Sequence, residues 1–231
     1  MVEITEEITS IIGQPKKLLI FLHGYIDSAP AIAEKRLAPL IDDLENVAIH
    51  IPQAPMICEI HECKKQWYSI HRFDPNDDRK TVESMEECVK IYDGMGEGLR
   101  EANEYLSPYI DYCLNKYGLK NEDLFLCGFS QGASLAIYGA LMREEKIAGC
   151  VSIGGIITPH TYLREHYKSS PDTLLIHSDN DNLVRYEAMD FTKKELESIG
   201  CEVTAYVTKN GRHRVTEKAI KIIRKFVKYR M

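Results

Sequence analysis

The stretch "FLCGFSQGASLA", residues 125–136, places one serine between two glycines. Its first residues are apolar like the end of a buried strand, and its last residues carry the apolar spacing of a helix. Ser130 therefore lies at the corner between a predicted strand and a predicted helix, within the spacing G-x-S-x-G. A corner of this kind exposes the serine oxygen, and it directs the backbone N–H of Gln131 toward any anion that forms nearby. The stretch predicts a serine that attacks a carbonyl group.

The same five-residue pattern also occurs by chance, because Ser-Gly pairs are common in ordinary loops. Taken alone, the pattern does not separate a reactive serine from a simple turn. The rest of the chain decides between these two interpretations.

The composition limits the class of protein. The chain has 231 residues and is 44% hydrophobic, which is enough for one sizeable core, so we expect a single domain over residues 1–231. The net charge of −6 argues against a nucleic-acid partner and favours a small-molecule substrate. The acidic start lacks the layout of a signal peptide, and no apolar run is long enough to span a membrane. We therefore expect a cytoplasmic protein without integral membrane association.

Apolar runs predict six buried strands separated by helices. Most of the runs are unbroken rather than alternating, which indicates an α/β fold with a mostly parallel central sheet and helices on both faces. The predicted strands are Leu18–His23, Val47–Ile51, Leu124–Cys127, Ile147–Ile153, Leu174–His177 and Val203–Val207. The predicted helices are Ala31–Asp43, Thr81–Tyr117 with interruptions, Gln131–Met142, Val184–Ile199 and Val215–Tyr229.

A serine hydroxyl becomes a good nucleophile when a base takes its proton and a carboxylate holds that base in the correct tautomer. In a hydrolase of this architecture, the chain order is serine, acid and histidine, each in a loop after a strand. His213 lies in such a loop, whereas His177 ends an apolar strand and is typical of a packed core residue. Asp179 and Asp181 follow the same predicted strand, so the loop alone leaves the choice of acid open.

The sequence gives little support for a metal or a cofactor. The stretch "CEIHEC", residues 58–63, offers three possible ligands, but a structural zinc site normally needs a second pair and no C-x-x-C follows. Serine-based acyl transfer needs neither a metal nor an organic cofactor. We therefore expect neither group.

Five stretches of the chain resemble, in order, the sequence blocks of the carboxylesterase/phospholipase group of α/β hydrolases, which includes acyl-protein thioesterases. They are "LLIFLHGYIDSA" (18–29), "GFSQGASLAIYGAL" (128–141), "AGCVSIGG" (148–155), "LLIHSDNDNLV" (174–184) and "GRHRVTE" (211–217). The resemblance spans nearly the whole chain and implies the α/β-hydrolase fold with esterase or thioesterase activity. It also implies a small acyl ester or thioester as substrate, with lysophospholipids and acylated proteins among the candidates.

The resemblance resolves the choice of acid. The family pattern H-G-x-x-D-x-x-V matches this chain at His177, Asp181 and Val184. It therefore implies that Asp181, not Asp179, forms a catalytic triad with the corner serine and the loop histidine.

The resemblance also points to residues around the reacting centre. It implies that the backbone N–H of Tyr25 is the second oxyanion donor beside that of Gln131. The stretch "QWYS", residues 66–69, is similar to a Trp-containing block of the family, which makes Trp67 a candidate for the substrate pocket. Ile26 and Arg212 are further pocket candidates, because they stand where the family usually has glycine. We expect Ile26 to narrow the pocket mouth and to favour short acyl chains, and Arg212 to bring a cation close to the histidine.

Residues 52–80 join a strand end to a helix on the expected active-site side, so we expect them to border the pocket, where they could act as a lid. Two other functions are compatible with the fold, because architecture does not fix the substrate. One is a dienelactone-hydrolase-like or peptidase variant, although serine rather than cysteine at the corner disfavours the first. The other is a non-catalytic hydrolase fold that serves as a binding protein, which the complete triad disfavours.

Overall fold

A sheet of seven strands forms the centre of the computed structural model, which describes residues 3–4, 7–41 and 44–231. Its strand order is β1-β3-β2-β6-β7-β8-β9. Only β1 runs antiparallel to its neighbour among these described strands. The strands are β1 (Glu7–Ile11), β2 (Lys17–Leu22), β3 (Val47–Pro52), β6 (Leu124–Phe129), β7 (Gly149–Ile153), β8 (Thr173–Ser178) and β9 (Val203–Thr208), and a separate hairpin contains β4 (Met56–Cys58) and β5 (His61–Gln66).

Helices cover both faces of the sheet. They are α1 (Ala29–Ile32), α2 (Ala38–Ile41), α3 (Ile70–Phe73), α4 (Met85–Gly94), α5 (Gly96–Tyr117), α6 (Gln131–Leu141), α7 (His160–His166), α8 (Glu187–Ser198) and α9 (Glu217–Lys228). A π-helical turn, Ala33–Leu37, joins α1 to α2, and short 3₁₀ helices span Asp78–Lys80 and Asn121–Asp123. Within the described ranges, no helix has both the length and the apolar character needed to cross a membrane.

The two faces of the sheet bury two separate cores. Successive side chains of a strand point to opposite faces, and in β2 this sends Leu18 and Ile20 into one core and Leu19 and Phe21 into the other. Helices α4, α5, α6 and α8 cover the first core, whereas α1 and α9 cover the second. Because both faces are covered, the parallel strands need apolar residues at every position, which is the pattern that predicted them.

The predicted α/β architecture is confirmed, including all six predicted strands. Strand β1 and the β4–β5 hairpin were not predicted, because β1 is a short edge strand and β5 is rich in exposed polar residues. The predicted end of the first helix, at Asp43, lies outside the described residues. The predicted helix Val184–Ile199 begins later, at Glu187, because the preceding residues form a loop over the carboxyl end of β8.

That loop belongs to one edge of the sheet. The carboxyl ends of the parallel strands β2, β6, β8 and β9 lie along this edge, and ligand sites in parallel sheets form there. The segments that follow these strands begin at His23, Ser130, Asp179 and Lys209, respectively. The fold therefore gathers the loops that carry the predicted site residues.

Candidate active site

Ser130 occupies a sharp corner between β6 and α6. Its backbone adopts φ 54° and ψ −118°, a conformation that a non-glycine residue rarely takes and that occurs at functional sites. A Cβ on Gly128 would lie 2.1 Å from the carbonyl oxygen of Gly132, and a Cβ on Gly132 would lie 2.3 Å from that of Leu22. Both glycines are therefore required by close backbone packing, and the packing holds the serine in its strained conformation.

The three predicted triad side chains lie in one hydrogen-bonded row. His213 Nε2 lies 2.7 Å from Ser130 Oγ, and His213 Nδ1 lies 2.7 Å from Asp181 Oδ2. These distances suit an imidazole that donates its Nδ1 proton to the carboxylate and accepts the serine proton at Nε2. The arrangement can therefore move a proton from the serine to the histidine.

Asp181 is held as a carboxylate. Burial raises its pKa, but the hydrogen bond and positive charge of His213, together with backbone donors, outweigh burial and leave the pKa below the ordinary value. The backbone donors are the N–H groups of Leu183 and Val184, each 2.9 Å from Oδ1. One carboxylate oxygen thus orders its own loop, while the other faces the histidine.

His177 supports the same loop. Burial lowers the pKa of this histidine, so its ring is neutral, and Nε2 lies 3.0 Å from the carbonyl oxygen of Val184. The same nitrogen lies 3.5 Å from Asp181 Oδ2. The sequence indicated a packed core histidine, and the structure places it beneath the acid, where it closes the turn that presents Asp181.

Asp179 lies apart from the histidine ring and joins two loops. Its carboxylate accepts the backbone N–H of Asn210 at 2.7 Å. The neighbouring Asn180 accepts the backbone N–H of Arg212 at 2.8 Å. Together these two side chains fasten the loop of His213 to the loop of Asp181. Sequence reasoning missed Asn180, and the only available signal was its position between two candidate acids.

Tyr25 and Gln131 begin the two segments that would supply oxyanion donors. Gln131 is the first residue of α6, so its backbone N–H has no acceptor within the helix. Tyr25 follows His23 and Gly24 and lines the same pocket as Ser130. Burial lowers the pKa of His23, so its ring is neutral. The ring accepts the backbone N–H of Ala54 at Nε2, at a distance of 3.0 Å. Its Nδ1 lies 2.8 Å from the carbonyl oxygen of Gly24. These contacts fix the loop that carries Tyr25.

Trp67 connects the two donor segments instead of lining the pocket. Its side chain is fully buried, and its indole N–H donates to the carbonyl oxygen of His23 at 2.8 Å. Its backbone N–H donates to Gln131 Oε1 at 2.9 Å, and Gln131 Nε2 in turn donates to the carbonyl oxygen of Tyr68 at 2.7 Å. The expectation that Trp67 forms part of the substrate pocket is therefore wrong. The indole packs against the segment that begins at His23, because its N–H finds its acceptor there.

A pocket of about 220 Å³ opens beside Ser130. Much of its lining is apolar or aromatic: Tyr25, Ile26, Ile60, Tyr68, Ile70, Tyr92, Phe129, Ile156, Leu183 and Val184. The charged residues at its border compensate each other, since Arg79 pairs with Asp74 at 2.5 Å and with Asp77 at 2.6 Å. The pocket therefore suits an uncharged acyl group. The lining from Ile60 to Lys80 confirms that residues 52–80 border it.

Ile26 and Arg212, which stand where the family usually has glycine, differ in where their side chains lie. Ile26 lines the pocket and has φ 57°, a left-handed conformation that is unfavourable for a β-branched residue. Arg212 also has a positive φ, of 52°, but its side chain is exposed and lies outside the lining of this pocket. It borders a smaller depression together with Asp181 instead. The expectation that Arg212 is a pocket residue is therefore wrong, because the turn of the loop directs it elsewhere.

Two groups of potential metal-binding side chains lie outside this row of residues. Cys58 is buried, with Sγ 3.3 Å from the Tyr25 hydroxyl, whereas Cys63 is exposed. Among the described residues, these two thiols do not belong to a common group of three potential ligands. Glu7, His50 and Cys113 do bring their donor atoms within 4.8 Å of one another. Hydrogen bonds account for that cluster, because His50 Nδ1 lies 2.6 Å from the Glu7 carboxylate. His50 belongs to β3, two strands away from β6, which leads to Ser130.

The chain is similar to known proteins over most of its length. The model of the family described as "Phospholipase/Carboxylesterase" matches residues 4–231. Acyl-protein thioesterase 1 of Candida albicans is 22% identical over 227 residues, covering 92% of this chain and 91% of the relative. Carboxylesterase SOBER1 of Arabidopsis thaliana is 24% identical over 231 residues, covering 94% and 91%.

Solved structures show the same fold. The crystal structure of esterase PE8 superposes with a TM-score of 0.83 at 23% identity, with 98% of each chain covered. That of Arabidopsis thaliana SOBER1 superposes with a TM-score of 0.74 at 20% identity, covering 93% of this chain and 98% of the other. At these identities the superpositions establish the architecture alone.

Proposed function

The chain belongs to the phospholipase/carboxylesterase family of α/β hydrolases, and from that premise we propose that it hydrolyses carboxylic esters and thioesters with Ser130 as the nucleophile. The observation that carries the proposal is the row formed by Ser130, His213 and Asp181, with 2.7 Å at each of its two contacts. A non-catalytic relative has no need to keep all three groups in hydrogen-bonding register. Family membership places the protein among carboxylic ester hydrolases, and the roles of individual residues are the proposal.

The first half of the reaction forms an acyl-enzyme. His213 Nε2 removes the Ser130 proton while Oγ attacks the carbonyl carbon, and the carbonyl oxygen becomes an oxyanion. The backbone N–H groups of Tyr25 and Gln131 stabilise that oxyanion, each by about 3 kcal/mol in comparable sites. The bond to the leaving oxygen or sulfur then breaks, and the leaving atom takes the proton from His213.

The second half repeats these steps with water. His213 removes a proton from the water, whose oxygen attacks the acyl carbon, and Ser130 leaves with that proton. Asp181 stays ionised throughout and stabilises the imidazolium, which agrees with its lowered pKa. The reaction therefore uses only groups of this chain and water.

The apolar pocket supports an uncharged acyl group as the part of the substrate that binds there. Lysophospholipids and acylated proteins are candidate substrates, since both present a fatty acyl ester or thioester. A cytoplasmic location and a single domain over residues 1–231 stay predictions alongside this proposal.

The proposal is tested with a fluorophosphonate probe and with chromogenic short-chain esters. We expect covalent labelling at Ser130 and ester hydrolysis, both lost in Ser130→Ala, because an activated serine attacks phosphorus and carbonyl carbon. Labelling and turnover that persist in Ser130→Ala would refute the assignment. A panel of esters, thioesters, a dienelactone and a peptide separates the proposed activity from the other hydrolase classes.

A further inference from the structure

A second concave site lies beside the catalytic loop. It is a surface groove of about 490 Å³ between the π-helical turn Ala33–Leu37, the loop after β9 and the first turn of α9. Five cationic residues and one carboxylate, Glu217, line it. We call this site the basic groove and define it by its cations: Lys35, Arg36, Lys209, Arg214 and Lys218.

The cations of the basic groove lack ion-pair partners among residues 7–41 and 44–231. All five are exposed, and Glu34 and Glu217 are the acidic residues next to them in sequence. By contrast, Arg79 pairs with Asp74, and Arg164 pairs with Glu195 at 2.6 Å. Five cations face a single lining carboxylate, so the cations repel each other, in a protein whose net charge is −6. A bound polyanion would relieve this repulsion.

The basic groove adjoins the reacting centre through the chain itself. Arg214 directly follows His213, and it lines both the groove and the small depression that Asp181 borders. Lys209 and Lys218 are four and five residues from His213, so their Cα atoms lie within about 14 and 18 Å of it, at ~3.3–3.6 Å per residue. In the proposed mechanism His213 gives its proton to the leaving group, so the leaving atom lies next to this loop.

We propose that the basic groove binds the phosphate groups of an acyl thioester whose thiol carrier is a phosphorylated nucleotide, so that the acyl chain enters the apolar pocket. The proposal rests on the hydrolase activity proposed above. A carrier with several phosphates can contact cations on all three chain segments of the groove at once. The volume of the groove falls within the range of small-ligand sites.

The chemical step is thioester hydrolysis. Ser130 Oγ bonds to the acyl carbon as the C–S bond breaks, and the carrier sulfur leaves with the proton that His213 took from the serine. Water then releases the fatty acid, so the products are one carboxylic acid and one free thiol. The groove takes no part in bond breaking and contributes affinity for the carrier.

The test compares two substrates with the same reacting bond. Octanoyl-coenzyme A carries the phosphorylated nucleotide, whereas the octanoyl thioester of N-acetylcysteamine has no phosphate. In Lys35→Glu/Lys218→Glu we expect KM for octanoyl-coenzyme A to rise about tenfold at low ionic strength, as expected for the loss of steering charges. We expect kinetics with the phosphate-free thioester to stay unchanged. Lys120→Glu/Lys194→Glu, with the same change in net charge at exposed sites on other elements, should behave like the wild type.

Direct binding separates this proposal from the activity itself. Free coenzyme A, titrated into Ser130→Ala by calorimetry, should bind, and binding should weaken about tenfold when Lys35 and Lys218 are reversed. No binding, or equal binding to the groove variant, would overturn the proposal even if ester hydrolysis is intact. If the wild-type protein binds coenzyme A through the groove but hydrolyses neither esters nor thioesters, the proposed function would be overturned instead. Groove-dependent attachment to phosphatidylglycerol vesicles without coenzyme A binding would replace the carrier with an anionic membrane surface and overturn the proposal.

Discussion

Trp67 offers the sharpest test of the proposed oxyanion site, through the substitution Trp67→Phe. Phenylalanine keeps an aromatic ring behind the loop but removes the indole N–H that donates to the His23 carbonyl oxygen at 2.8 Å. The backbone hydrogen bond from residue 67 to Gln131 stays in place. The change therefore loosens the Tyr25 segment while it leaves the Gln131 segment attached.

The expected magnitude follows from these contacts. Loss of one oxyanion donor costs about 10²–10³ in kcat, and a misaligned Tyr25 N–H should cost part of that, so we expect kcat to fall roughly 10- to 100-fold. KM for a short ester should stay within about twofold, because Trp67 is fully buried and does not line the pocket. The His23 carbonyl oxygen, left without its donor, should lower the free energy of unfolding by about 1–3 kcal/mol.

A matched control separates alignment from stability. Tyr117→Phe also removes a hydrogen bond of 2.8 Å, partly buried, between the tyrosine hydroxyl and His50 Nε2 on β3. Both variants should lower Tm by a few degrees, but only Trp67→Phe should lower kcat. Steady-state kinetics on a chromogenic ester and thermal melts of both variants measure this difference. An unchanged kcat in Trp67→Phe, or an equal loss in Tyr117→Phe, would refute the positioning role.

Further predictions concern the acid, its titration and the two departures from the family's glycines. Asp181→Asn should lower kcat about 10⁴-fold, because an amide can hold the wrong histidine tautomer. Asp179→Asn should chiefly lower Tm, because it removes the charge that accepts the Asn210 N–H. The reverse result would assign the catalytic acid to Asp179. Because the pKa of Asp181 in the folded protein lies below its ordinary value of 3.8, its stabilising contribution is full above that value and is lost as pH falls through the lowered pKa. The difference in Tm between wild type and Asp181→Asn should therefore shrink from pH 7 to pH 3, and a constant difference would contradict this. Ile26→Gly should raise Tm or leave it unchanged, because glycine adopts the positive φ of this position without strain. The same variant should prefer esters with longer acyl chains than the wild type does. An identical chain-length profile would show that Ile26 does not limit the pocket. Arg212→Gly should leave the pH dependence of kcat/KM unchanged, because the side chain is exposed and outside the pocket, and a shifted profile would place the cation beside His213.

The sequence determined the architecture and the position of the reactive loops. Unbroken apolar runs such as residues 18–22 and 124–127 predicted parallel strands buried on both faces, because in such strands neither set of alternating side chains meets water. The serine corner followed from the two glycines, whose missing side chains are a local requirement of the turn. His213 followed from its place after the last strand. These features depend on neighbours in the chain, so local patterns carry them.

The choice between Asp179 and Asp181 lay at the limit of local reasoning. Both residues follow β8, and the residue pattern alone left them equal until the family spacing favoured one. In the folded chain, Asp181 faces His213 while Asp179 faces the Asn210 backbone. A loop of a few residues can direct consecutive carboxylates to different partners, and only the positions of those partners decide which carboxylate meets the histidine.

Tertiary structure alone decided where the remaining side chains lie. Trp67 turned inward because the His23 carbonyl oxygen, 44 residues away in sequence, accepts its N–H, and Arg212 turned outward on a left-handed backbone. The basic groove joins cations that are more than 170 residues apart, from Lys35 to Lys209, and no local pattern relates such positions. Periodicity records whether a side chain meets the core, whereas its direction and partners depend on long-range packing that forms only when the sheet and its loops assemble.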